Sequence, residues 1–169
     1  MKLNNSVTKK SARAGIIAAL YVMLTIILYP ISYGGVQVRI AEALSILPLF
    51  YGEAVIGLTV GCLISNLLGT NGLLDVVFGT LATFIASNLT YLIGKKVRGN
   101  RARFMLGCFP PVIVNALIVP FTFLLTLSNL KKLYLISCLQ VFAGQTLAVY
   151  LIGAPFYYSI SKRQNKKGL

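Results

Sequence analysis

The sequence predicts an all-α membrane protein, a six-transmembrane-helix bundle with both termini in the cytoplasm. Three observations carry this. The 169 residues are 57% hydrophobic and only 11% charged, with a mean hydropathy of +0.81, whereas soluble domains carry roughly 25% charged residues. The apolar residues fall into runs separated by turn or charged residues, most of them long enough to cross a bilayer. The basic residues gather at one set of run ends. One group is Lys2, Lys9, Lys10 and Arg13. A second is Lys95, Lys96, Arg98, Arg101 and Arg103. The third is Lys162, Arg163, Lys166 and Lys167. Arg39, Lys131 and Lys132 fall at the opposite ends. Basic loops stay in the cytoplasm, so the first three groups are assigned inside.

The expected spans follow in order. Residues 1–11 form a polar N-terminal tail. Lys9, Lys10, Arg13 and the apolar run after them superficially resemble a signal peptide. The run is too long, lacks an A-x-A-like cleavage site and is followed by further spans, so it reads as a retained first helix. Span 1 runs from Ala12 to Tyr29 and stops at Pro30, whose ring cannot continue the helical ladder. Span 2 runs from Arg39 to Tyr51. It is short for a crossing and contains Pro48, so a tilted, kinked or partial helix is expected. Gly52 breaks the chain. Span 3 then runs from Glu53 to Gly69. The turn Gly69-Thr70-Asn71-Gly72 leads into span 4, Leu73 to Gly94. Span 5 runs from Phe104 to Leu127, with Pro110, Pro111 and Pro120 as kinks. Span 6 runs from Leu133 to Ile160, and a basic tail, 162–169, closes the single integral membrane domain 1–169.

The chain has three acidic residues and no histidine. Two of the acids, Glu42 and Asp75, sit in or against apolar runs, where a carboxylate is costly and marks a functional site. In the N-in arrangement Arg39, Glu42, Asn66, Asp75, Gln140 and Gln145 all fall toward the outer half of the bundle, with Asn115 near mid-span. That is the pattern of a cavity open to the outside. Each residue also has a structural reading. Arg39 and Glu42, three apart, can pair on one helix face. Arg39 can snorkel. Asp75 sits at a helix N-terminus, where the dipole favours an anion. Glu53 lies at the cytoplasmic start of span 3, where dipole and interface account for it.

Several function classes are excluded. Without histidine there is no histidine acid/base chemistry or ligation. Cys62, Cys108 and Cys138 stand singly in separate runs and read as small buried residues, with no spacing for zinc or a redox pair. No metal or cofactor is expected. Hydrolase and P-loop motifs are absent, so no enzyme is expected, and ATP cannot be used by this chain itself. The net charge of +13 does not indicate nucleic acid, because the charges lie at segment ends without interleaved stacking aromatics. Small residues recur every four positions at Gly57, Gly61, Ser65 and Gly69, at Gly79, Thr83 and Ser87, and at Ala14 and Ala18. Such faces let helices approach closely in lipid.

The stretches V-R-I-A-E-A-L-S-I-L-P-L-F, G-L-T-V-G-C-L-I-S-N-L-L-G and G-L-L-D-V-V-F-G-T-L-A-T lie within residues 37–83. Together they resemble the QueT family. These are substrate-capture subunits, or S components, of energy-coupling-factor transporters, assigned to queuosine precursors such as 7-aminomethyl-7-deazaguanine. The resemblance implies a multi-pass protein of the bacterial plasma membrane that captures a 7-deazapurine ligand from outside. It implies a transmembrane coupling subunit and two ATPase subunits as partners, with Ala14 and Ala18 of span 1 facing the coupling subunit. For such a ligand, Glu42 is expected to read the guanine-like edge and Asp75 to meet the amine or fix the site. Asn66 and Gln140 would fill further donor and acceptor positions, Tyr33 or Phe78 would stack on the ring, and Arg39 would orient Glu42. Two alternatives stay open: an S component for another vitamin-like ligand, and a self-sufficient small-solute or cation carrier.

Overall fold

A computed structural model of the chain describes residues 5–32, 39–70, 72–121 and 131–166. The described elements are helical. They are α1 (Asn5–Ile27), a short α2 (Tyr29–Ser32), a 3₁₀ helix (Ile40–Leu49), α3 (Ala54–Leu68), α4 (Leu73–Lys96), α5 (Asn100–Ile118), α6 (Lys131–Thr146), a π-helical segment (Leu147–Ile152) and α7 (Gly153–Lys166). Among them, four stretches are long and apolar enough to cross a membrane: Ser6–Ile27, Leu73–Lys96, Asn100–Ile118 and Tyr134–Gln164. Large apolar side chains cover the outside of the bundle, among them Ile16, Leu67, Leu73 and Leu139, each more than half exposed. Such a surface suits lipid, not water.

Several boundaries differ from the sequence reading, and the last helix runs on past Ile160 to Lys166. α1 begins at Asn5, not Ala12. Residues 5–11 hold no proline or glycine and simply extend the apolar helix by two polar turns. α5 begins at Asn100, so Arg101 and Arg103 belong to a helix and not to a loop. Pro30 does end α1, yet it is accommodated in the first turn of α2, where a missing N–H costs little.

The 3₁₀ helix is the centre of the bundle. Eight of its residues are buried, and its threefold repeat sorts them, because side chains three apart eclipse in this geometry. Ala41 and Leu44 enter one core with Ile17, Tyr21, Leu58 and Cys62. Ile46 and Leu49 enter a second core with Phe104, Cys108, Val112, Val149 and Tyr157. The third row is Glu42, Ser45 and Pro48. Arg39 caps the helix in an extended conformation, φ −85° and ψ 100°.

Close helix contacts need small residues. A Cβ on Gly57 would lie 2.6 Å from the Ala14 carbonyl oxygen, and one on Gly61 would lie 3.0 Å from that of Ala18. The small faces of α1 and α3 therefore meet each other. Ala18 is buried against α3 and so has little exposed surface for the partner contact expected of it. Ala14 is half-buried at the edge of the same contact. In α5, Pro110 and Pro111 interrupt the ladder without breaking the helix. Pro111 has no N–H to offer the carbonyl four residues back, and the Thr90 hydroxyl donates to that Gly107 oxygen instead, at 3.0 Å.

The α1–α3 contact can be tested directly. Gly57→Val should lower stability by about 1–3 kcal/mol through overpacking, read as thermal unfolding in detergent. Gly15→Val on the same helix pair, where an added Cβ meets nothing within 4 Å, should change it little.

Candidate functional site

The polar groups gather at the end of the bundle formed by the C-terminal turns of α3 and α5 and the N-terminal turn of α4. Arg39 is the hub. Its Nη1 donates to Asn66 Oδ1 at 2.8 Å, and its Nη2 pairs with Asp75 Oδ2 at 3.0 Å. Asn66 Nδ2 in turn donates to the Asp75 carbonyl oxygen at 3.2 Å. Arg39, Asn66 and Asp75 are 7%, 2% and 3% exposed, so this charge pair is desolvated and each partner depends on the other. The expected i, i+3 pair between Arg39 and Glu42 is not formed. Arg39 is the cap residue with extended backbone, which sends its side chain toward α3 and α4 and out of register with Glu42.

Glu42 is held differently. It is 2% exposed. The Tyr21 hydroxyl donates to its Oε1, and Ser45 Oγ donates to its Oε2 at 2.9 Å. The second bond follows from the 3₁₀ repeat, which stacks Ser45 over Glu42. Both partners are neutral, and among the described residues no cation forms an ion pair with this carboxylate.

Glu42 and Arg39 line a small internal cavity with Thr83, Asn115, Val141 and Gln145. As closed here its volume is about 10 Å³, roughly room for one water. The Gln145 side chain is 6% exposed, and its Oε1 has no hydrogen-bond partner among the described residues. Gln145 is the penultimate residue of α6, just before the π-helical segment. π segments inside α-helices recur at functional sites. Asn115 Nδ2 is engaged by the Pro111 carbonyl at 2.9 Å. Thr83 Oγ1 contacts Cys62 Sγ at 3.1 Å and the Gly79 carbonyl at 3.0 Å.

The structure therefore brings together Arg39, Glu42, Asn66 and Asp75 from the sequence expectation. Asn66 and Asp75 do not line the cavity and instead hold Arg39. Gln140 is exposed on the outside of α6, so the amide at this end of the bundle is Gln145, five residues on. Phe78 is half-buried and packs edge-on against Phe121, with ring centroids 5.9 Å apart. Tyr33 lies outside the described residues. Tyr21 and Ser45 have no part in the sequence reading, and Thr83 enters it only as a small residue for helix packing. Tyr21 carries a readable signal, since it continues the Ala14 and Ala18 face by three residues.

A larger open cleft of about 760 Å³ lies at the opposite end, lined by Lys10, Ala14, Gly52, Glu53, Asn88 and Tyr91 among others. Its acid, Glu53, is already bound by Arg13, whose guanidinium also lies over the Tyr51 ring, 4.3 Å from the centroid. The two buried carboxylates, Glu42 and Asp75, are elsewhere, so size alone does not select this cleft.

A family model described as QueT transporter matches residues 11–162. A relative from Lactococcus lactis subsp. cremoris, described as queuosine precursor transporter QueT, is 38% identical over 93 residues, which are 54% of this chain and 54% of that protein. The match thus spans about half the length of the relative. No solved structure matches.

The Arg39–Asp75 pair makes a sharp prediction. Arg39→Gln should destabilise the fold by about 3–5 kcal/mol, the cost of leaving a buried charge uncompensated. Adding Asp75→Asn should restore much of that loss. Denaturation of the two single variants and the double variant measures the coupling, and additive losses would mean that the pair does not act as a unit.

Proposed function

The chain belongs to the QueT transporter family, and on that premise we propose that it captures a queuosine precursor, a cationic 7-deazaguanine, from outside the cell. The single observation that carries the reading is Glu42: a buried carboxylate on a cavity wall whose hydrogen-bond partners among the described residues are both neutral. A charge in that position is costly until a cation reaches it. The aminomethyl group of such a ligand is that cation. Gln145, with a carbonyl oxygen unsatisfied, and Asn115 supply amides for the guanine-like edge. The role first expected of Glu42 is thereby shifted, and Asp75 takes the second of its two expected roles. Asp75, already bound by Arg39, fixes the site, and Glu42 meets the amine. The alternative of a cation carrier is less well supported, because the acids sit at one end of the bundle and do not line a path.

A bicyclic base does not fit a cavity of about 10 Å³. Capture therefore needs the wall formed by Val119, Val141 and Gln145 to move away from Glu42. That wall belongs to the end of α5 and to α6, and the floor to the 3₁₀ helix and α4.

The wider assembly follows from the same reading. Six crossings are counted when the 3₁₀ helix and α3, each about 20 Å long by their rise per residue, are added to the four long stretches. Both termini are then cytoplasmic. A coupling subunit and two ATPase subunits supply the energy, because this chain has no nucleotide-binding motif. The coupling subunit meets the exposed side of α1, with Ala14 at its edge and Ala18 covered.

Two outcomes are expected. In equilibrium binding to purified protein, Glu42→Gln and Gln145→Leu should each weaken 7-aminomethyl-7-deazaguanine, Glu42→Gln by more than tenfold, since about 1.4 kcal/mol is tenfold. Glu53→Gln should bind normally. Normal binding by Glu42→Gln would remove the assignment, and tight binding of a different vitamin by wild type would keep the transporter and change its ligand. Separately, single cysteines placed at Asn71 and Asn100 in a cysteine-free background should label from outside at Asn71 only. External labelling at Asn100 would invert the orientation.

A further inference from the structure

We propose that the cleft between the α4–α5 turn and α7 binds a phosphate group, supplied by an anionic phospholipid of the bilayer. The cleft has a volume of about 420 Å³ and is lined by Lys95, Arg98, Asn100, Arg103, Ser161 and Gln164. It is polar, basic and far from the cavity at Glu42.

The chain has no side-chain carboxylate to neutralise this cluster. It contains three acids. Asp75 is bound by Arg39, Glu53 by Arg13, and Glu42 is buried beneath Tyr21 and Ser45. An anion for Arg98 and Arg103 must come from elsewhere. Lys95 is partly engaged, with its ammonium 4.5 Å from the Tyr91 ring centroid. Arg103 gives one nitrogen to the Leu49 carbonyl, while its Nε is buried without a partner among the described residues.

The backbone adds to the charge. α5 is 19 residues long and starts beside the cleft. Its cap is Gly99, at φ 100°, which provides no side-chain cap. Helix N-termini with free N–H groups favour phosphate. The Asn100 side chain does not cap this turn, because its Oδ1 accepts from Ser161 Oγ at 2.7 Å. Tyr157 donates to the Asn100 carbonyl at 3.0 Å. These two bonds clamp α7 onto the turn and fix the shape of the cleft.

Position selects a lipid as the source. The cleft lies where apolar helices end, and Met105, Leu106 and Phe109 of α5 and Leu92 of α4 are about half exposed just beyond it. A headgroup phosphate in the cleft places acyl chains along those side chains. Basic pockets between membrane helices on the cytoplasmic side take anionic headgroups by this combination.

The test uses the full chain, stripped of lipid in a neutral detergent, with dioleoyl phosphatidylglycerol, dioleoyl phosphatidylcholine or inorganic phosphate as the probe. Binding is read by native mass spectrometry and thermal shift. Phosphatidylglycerol should bind wild type better than phosphatidylcholine. Its affinity should fall at least fivefold in Lys95→Gln/Arg98→Gln, whose side chains are exposed and not needed for packing. Lys162→Gln/Arg163→Gln removes the same charge outside the cleft and should bind as wild type does. Equal loss in both double variants would mean diffuse attraction and overturn the site. Stabilisation by inorganic phosphate with none by the lipid would overturn the lipid as its source.

Discussion

Two carboxylates and one guanidinium share the buried end of this bundle, and in a medium of low dielectric that imbalance governs the rest. Arg39 is committed to Asp75 and Asn66, which ties the entry of the 3₁₀ helix to α3 and α4. Glu42, three residues on, is left with two hydroxyls. Hydrogen bonds to neutral donors stabilise a buried carboxylate less than a partner charge does. On the proposed reading, a cationic ligand is the partner that completes it.

The 3₁₀ geometry makes the arrangement possible. An α-helix over Ile40–Leu49 would spread its side chains around the axis, and Ser45 would not eclipse Glu42. A repeat of three gives two apolar rows, each filling its own core, and a third row in which Ser45 stacks on Glu42 at the cavity wall. Close approach of α1 to α3 through Gly57 and Gly61 then brings Tyr21 within reach of Glu42. Packing of small residues and placement of a polar group are in this way one design.

Much of this was legible before any coordinates. Hydropathy and turn residues gave the long helices, since those signals are local. Rarity singled out Glu42 and Asp75, because carboxylates survive in hydrocarbon only with a reason. Arg39 and Asn66 stand out by their place toward the same half of the bundle, but their partners do not. Which residue pairs with Arg39 depends on the cap conformation that turns it away from Glu42, and no sequence spacing reports that. Gln145 was harder to separate from Gln140, as both lie on α6 and only packing decides which one points inward. Tyr21, Ser45 and Thr83 are ordinary residues in membrane helices, and their roles come from neighbours distant in sequence.

The central claim is that Glu42 awaits a positive charge, and a comparison of ligands on the unaltered protein tests it most directly. Calorimetric titration would set 7-aminomethyl-7-deazaguanine against its neutral 7-methyl analogue, which keeps the ring and loses the ammonium. The account predicts that the neutral analogue binds at least tenfold more weakly, about 1.4 kcal/mol. Equal affinity for the two would contradict it, because the carboxylate would then have no cation to receive.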